Sequence, residues 1–432
     1  VKKTGRYEAL KCTILGILAF VFTQATYAKT PNLEEIWLLV QRQQEQIAEL
    51  QQELAENQLR LQEAQKTLQS QSSELTTRIT ETETALEATV SSIESSESFN
   101  GTADTRFGGY GELHYNNLDS GNSIDYHRFV ILMSHQFSDE LSFFSELEVE
   151  HALAGDGKPG EIELEQAFVQ WDYADNHHSK MGLFLVPVGI LNETHEPDTF
   201  HGVERNAVEK NIIPSTWWEA GFGFTGEIAP GWGYDLAAHS GLNLDTDNNS
   251  ASKRSSIRSA RQKVAKGVAE NLAYTVRLRY SGHPGFQWNT TLQYQSDLAQ
   301  GDDEGVGVGE ISATLFETNV NFRRGGFGLR ALYARWDIDN EIELLNSGAD
   351  EQTGWYIEPS YRFDNGFGLF ARFGSYDLTA GSDITSSEKN QFDVGVNYWI
   401  HENVVIKADY QRQDNDNGDD VDGFNLGIGY SF

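Results

Sequence analysis

The chain has 432 residues, a formal net charge of −33, one cysteine and a negative mean hydropathy. A balance this acidic argues against nucleic-acid binding, which needs a basic face, and a lone cysteine excludes internal disulfides and multi-thiolate metal sites. Beyond the amino-terminal leader no run of about twenty apolar residues could cross a bilayer as a helix, whereas membrane strands, apolar on one face only, remain compatible with this composition.

The chain opens with the pattern of a secretory signal peptide over residues 1–28. Lys2, Lys3, Arg6 and Lys11 precede an apolar stretch at 12–22, and Thr26-Tyr27-Ala28 offers a small-residue cleavage site. Cys12 lies inside this leader, so the mature chain is expected to hold no thiol.

Residues 29–100 carry a heptad seam: Leu33, Val40, Ile47, Leu54, Leu61, Leu68 and Leu75, with Ile36, Leu50 and Ala64 at the second apolar position. Gln43, Asn57 and Gln71 interrupt it, and the register shifts between Leu75 and Ile79. The pattern predicts an α-helical coiled coil, a self-associating periplasmic stalk that some 60 helical residues would extend to roughly 90 Å. A solitary amphipathic helix is the alternative.

From Arg106 onward the sequence divides into sixteen two-faced segments whose connections alternate in length. Tight ones fall at Ser138-Asp139, 174–178, Pro230-Gly231, 282–285, 324–326, 364–366 and His401-Glu402. Long ones occupy 187–216, 244–271, 297–309, 337–353, 378–389 and 412–421. Short periplasmic turns and long outer loops are the habit of outer-membrane barrels. The expected fold is therefore all-β over 101–432, a 16-stranded antiparallel transmembrane β-barrel preceded by the coiled coil, in the outer membrane of a Gram-negative bacterium. The last strand ends on Phe432; it turns Phe424, Leu426, Ile428 and Tyr430 to one face and Asn425, Gly427, Gly429 and Ser431 to the other, and would close the ring against the strand starting near Arg106. Tyr115, Trp171, Tyr173, Trp217, Trp218, Trp355 and Tyr410 are expected at the membrane interfaces.

Parity assigns the polar face to the lumen. It places Arg106, Arg128, Arg277, Arg279, Arg330, Arg362, Arg372 and Lys407 there, a set able to form an anion path. Glu146, Glu148 and Glu150 on one segment and Glu161, Glu163 and Glu165 on the next form an acidic wall. It would either attract cations or pair with the inward arginines. The long connection 187–216 is rich in Pro, His and apolar residues and is expected to pack against other protein groups; similarity to general porins, in which the loop at this ordinal position folds into the barrel and narrows it, implies a constriction here. Asn192, Glu193, His195, Glu196, Asp198, His201, Glu204 and Arg205 would be its polar edge. The spacing of His195, His201 and nearby carboxylates matches no strong ligand pattern, so no metal or cofactor is expected. A basic group, Lys253, Arg254, Arg258, Arg261, Lys263 and Lys266, would draw anions if turned into the mouth, or contact lipopolysaccharide phosphates if turned outward.

FSELEVEHA (144–152), GLFLVPVGILNETHEP (182–197), RSARQKVA (258–265) and LQYQSDLAQG (292–301) resemble the phosphate-selective porin O and P family. That resemblance implies a signal peptide, an amino-terminal coiled coil and a trimeric sixteen-stranded porin. Phosphate selectivity in the family rests on an arginine ladder and a lysine cluster. This chain has inward arginines, few lysines and a large glutamate wall.

No Gly-x-Ser-x-Gly, His-Glu-x-x-His or phosphate-cradling glycine loop occurs, so no enzyme is expected. The function expected is passive diffusion of small hydrophilic solutes or ions, including anions such as phosphate, through a water-filled barrel in outer-membrane lipid and lipopolysaccharide. The alternative is a structural anchor whose coiled coil tethers the membrane to peptidoglycan.

Overall fold

The computed structural model describes residues 104–244, 256–301, 310–339, 348–382, 387–416 and 418–432, together with Trp37, Gln41, Gln44 and Lys66. The chain divides into two units, Val1–Gly101 and Thr102–Phe432. In the first, the four described residues are helical. The signal peptide, the heptad seam, Lys253 and Arg254 lie outside the described residues.

The second unit is a closed barrel in which every neighbouring pair of strands is antiparallel. Its strands are β1 Thr105–Leu118, β2 Gly121–Ser138, β3 Leu141–Glu150, β4 Ile162–Ala174, β5 His177–Leu185, β6 Trp218–Ala229, β7 Trp232–His239 and β8 Ala273–His283. They continue as β9 Phe286–Gln295, β10 Ala313–Arg324, β11 Phe327–Ile338, β12 Glu351–Arg362, β13 Phe367–Asp377, β14 Lys389–His401, β15 Val404–Asn415 and β16 Gly423–Ser431. Every tight turn expected from the sequence joins two of these strands. One further tight connection, between β1 and β2, sits at the opposite end, among the long loops.

The period-two pattern fixes which way each strand faces. Phe107, Ile131, Leu147, Phe222, Tyr274, Leu292, Trp355, Leu369, Val394, Ile406 and Leu426 are exposed on the outer surface, while Arg128, Glu146, Arg277, Glu358, Arg372 and Asn425 are buried inside. Closure brings β16 against β1, with Tyr110 opposite Ser431, and the backbones of Gly109 and Phe432 exchange hydrogen bonds of 2.8 and 2.9 Å. A Cβ on Gly109 would stand 2.8 Å from the Phe432 ring, so only glycine fits beneath that aromatic end.

The lumen is not an empty cylinder. The long connection between β5 and β6 runs down it, and a short helix, α1 (Ala207–Asn211), capped by the Asn206 side chain, packs on β12 and β13. Val188, Ile190, Val208, Ile212 and Ile213 of this segment form one buried apolar core with Leu315, Leu332, Ala334, Trp336, Tyr356 and Tyr376 of the wall. Trp217 belongs to that core with no exposed surface, and Trp218 is buried beneath the Arg261 guanidinium. Neither is therefore a membrane-interface aromatic. They follow the inserted segment, whose return holds them among protein groups, whereas Trp171, Tyr173, Trp355 and Tyr410 are exposed on the outside.

Candidate functional site

The inserted segment is anchored at its neck by Asn192. Its Nδ2 donates to the Val186 carbonyl at 2.8 Å, and its Oδ1 accepts from the Trp217 amide at 2.6 Å, drawing the two ends of the segment together. Glu209 of α1 accepts from the Ile190 and Leu191 amides at 2.8 and 2.7 Å and from the Tyr356 hydroxyl at 2.7 Å. Burial nevertheless raises the pKa of this carboxyl.

From that neck the segment reaches walls on several sides. Glu193 pairs with Arg277, Glu204 accepts from His114 and Asn116 at 3.0 and 2.9 Å, and His201 meets Glu358 at 3.1 Å. The Val203 amide donates to Asp409 at 2.6 Å, Arg330 donates to the Thr199 carbonyl at 2.7 Å, and Ser431 donates to Asp198 at 3.0 Å. Arg205 reaches Thr216 at 3.3 Å, whereas Glu196 offers its carbonyl to Thr199. Burial works against the charge of Glu204, but the His114 bond and charge, with Lys210, hold its carboxyl at about 2.

Most inward cations are matched by carboxylates on the same wall. Arg128 lies 2.5 Å from Glu112 and 3.9 Å from Glu148; Arg277 and Arg279 share Asp235 at 2.7 and 2.8 Å. Arg372 lies between Asp393 at 3.0 Å and Glu358 at 3.1 Å, with Arg330 3.8 Å from the same Glu358. Lys407 stands 3.7 Å over the Phe200 ring. Arg106 is exposed at the start of β1 and joins none of these groups. Glu112, His114, Asp235, Glu358 and Asp409 escaped the sequence reading, although Glu112 shares parity with Arg106 and Asp409 with Lys407.

The acidic wall is divided. Glu146, Glu148, Glu163 and Glu165 are buried, while Glu161 is 59% exposed and Glu150 is half-buried at the rim. Lys263 pairs with Glu161 and Glu163, and this raises its pKa despite partial burial. Arg261 donates to the Thr216 carbonyl, and the 3-10 turn Arg258–Ala260 contributes Ala260 to the luminal core. This basic stretch thus turns into the mouth rather than away from it. Lys266 stays exposed.

At the tight-turn end the segment floors a cavity of about 840 Å³, lined by Asp198, His201, His283, Arg323, Arg330, Arg362 and Trp399 among others. The Arg362 guanidinium lies 4.2 Å over the Trp399 ring. Among the described residues no carboxylate forms an ion pair with Arg323 or Arg362. Arg323 was missed in the sequence, though it shares the inward parity of Glu317, Asn319 and Asn321.

The Gram-negative porin family profile matches residues 233–418. An uncharacterized protein of Aquifex aeolicus is 30% identical over 359 residues, covering 75% of this chain and 79% of its own. The fold is similar to that of the anion-selective porin from Comamonas acidovorans, with TM-score 0.54 and 10% identity over 76% of this chain and 99% of that one. It is also similar to Salmonella typhi OmpF, solved in complex with daunomycin, with TM-score 0.55 and 16% identity over 76% and 97%. The trimer form of Vibrio cholerae OmpT aligns with TM-score 0.51 and 10% identity over 76% and 99%. With the family profile across residues 233–418 and sixteen strands closed around an inserted segment, the chain is similar to the Gram-negative porins both in profile and in fold.

Proposed function

We propose that this porin, a channel and not an enzyme, favours small hydrophilic anions over cations. The observation that carries the reading is the cavity at the tight-turn end, where Arg323 and Arg362 lack carboxylate partners while most other inward cations are neutralised in place. Unbalanced charge in a confined, low-dielectric mouth focuses the field on passing ions. The anion selectivity of the Comamonas porin supports the same reading. Phosphate is one member of the class; no feature of the cavity singles it out.

Reversal potential in planar bilayers under a salt gradient tests this. The wild type should select anions, and the pair Arg323→Glu and Arg362→Glu should move the reversal potential toward the cation side. A cation-selective wild type would overturn the proposal. The contacts of the inserted segment with opposite walls favour a second reading, a barrel that serves chiefly as an anchor. Removing residues 196–205 separates the two: an anchor stays silent until the segment is cut, whereas a channel conducts beforehand.

The heptad seam over 29–100 supports a periplasmic stalk, with peptidoglycan as a candidate contact, and the OmpT trimer supports a homotrimer in outer-membrane lipid and lipopolysaccharide. Deleting 29–100 tests whether the stalk holds the trimer together.

A further inference from the structure

Three buried donors converge where the inserted segment meets the β3–β4 wall. They are Glu146, Glu165 and His195, whose side chains are 3%, 1% and 3% exposed. His195 Nε2 lies 3.4 Å from Glu146 Oε1 and 3.5 Å from Glu165 Oε2, and the three atoms all fall within 4.8 Å of one another. Yet neither His195 Nε2 nor Glu165 Oε2 makes a hydrogen bond.

The remaining polar atoms of the trio are all engaged. His195 Nδ1 faces the Asn192 carbonyl at 3.0 Å, Glu146 accepts from the Tyr110 hydroxyl and from Gln166 at 2.7 Å each, and Glu165 Oε1 accepts from Thr216 at 2.8 Å. A donor role for Nδ1 leaves the Nε2 lone pair aimed at the two carboxylates. Outer bonds of this kind are what ligating imidazoles and carboxylates carry. A separation of 3.4 to 3.5 Å is the edge of a tetrahedron whose centre lies about 2.1 Å from each corner, the distance at which zinc holds nitrogen and oxygen. Glu165 is also the extra residue of a bulge, since Gln166 pairs with Glu146 and Leu164 with Leu147. A bulge is a device that re-aims one side chain.

We propose that Glu146, Glu165 and His195 form a site for a divalent transition metal of the zinc class, pinning the inserted segment to the wall. An imidazole with two carboxylates suits such ions, whereas calcium would ask for six or more oxygens. Three protein ligands leave a fourth position open. The ligands come from two strands and a distant connection, so their spacing in the chain gives no motif. The site is independent of ion selectivity in the cavity.

The test uses the full-length protein in detergent, treated with chelator and titrated with Zn²⁺ alone. Roughly one ion per chain should be retained and should raise the unfolding temperature. Glu165→Gln and His195→Ala should each abolish both effects. Thr216→Val, which removes the outer bond to Glu165 and the Arg205 contact but no ligand, should weaken binding about 10- to 100-fold. Asp125, His127 and His151 form a second, half-buried group of donors in which both histidines meet Asp125; Asp125→Asn with His127→Ala there should leave the retained ion in place. Zinc retention unchanged in Glu165→Gln and His195→Ala would overturn the proposal. Should those variants fail to form a barrel, the wild type decides: an unfolding temperature indifferent to both Zn²⁺ and chelator overturns it equally.

Discussion

Gly429 of the closing strand faces Pro197 of the inserted segment so closely that a Cβ on the glycine would lie 2.5 Å from the Cβ of the proline. Two residues earlier, a Cβ on Gly427 would lie 3.0 Å from Val203. The small side of β16 therefore makes room for protein, and Asn425 and Ser431 on the same side bond to Asp409 and Asp198.

Gly429→Val should accordingly force the segment off its wall. Overpacking of this kind costs about 1 to 3 kcal/mol, read as a lower urea midpoint for unfolding in detergent. Val203→Ala alone, which removes bulk facing Gly427 instead of adding it beside Gly429, should be milder.

Glu209 satisfies two backbone amides and a hydroxyl in a site with no exposed surface. Glu209→Ala leaves the Ile190 and Leu191 amides without that partner, at about 1 to 3 kcal/mol for each group stranded. Tyr356→Phe removes a single bond and should cost less. Protease sensitivity of 187–216 in the folded barrel would report the loosened segment directly.

Arg372 is 5% exposed and bonded to both Asp393 and Glu358. Breaking such a buried set from one side costs about 3 to 5 kcal/mol because uncompensated charge remains. Arg372→Met should therefore destabilise the barrel more than the joint replacement Arg372→Met with Asp393→Leu, which leaves Glu358 paired with Arg330 and His201, as equilibrium unfolding would show.

The depressed carboxyl of Glu204 gives an acid-side dependence. Its folded value, about 2, lies below the unfolded value of about 4.3. The stabilisation is thus complete above the unfolded value and is lost as pH falls through about 2. Unfolding temperature measured across that window should fall less steeply in Glu204→Gln than in the wild type.

Much of the architecture is visible in single strands. Phe392, Val394 and Tyr398 against Asp393 and Asn397 declare two faces without any neighbour, and the alternation of tight and long connections counts the strands. Inward parity likewise locates Arg128, Arg277, Arg372 and Lys407. What those residues meet inside is not local. Arg277 finds Glu193 and Arg330 finds the Thr199 carbonyl only because the segment descends through the lumen. Trp217 carries the same aromatic signature as Trp171, yet one is buried in the luminal core and the other faces outward.

The barrel, its strand number and the sidedness of each strand are thus written along the chain, because a period of two and a turn are properties of neighbouring residues. How the interior is filled is settled by contacts between distant parts of the chain. The partners of Gly429, Glu209 and His195 are held together by closure of the ring and by packing of an apolar segment against a distant wall, and such encounters leave no period in the chain.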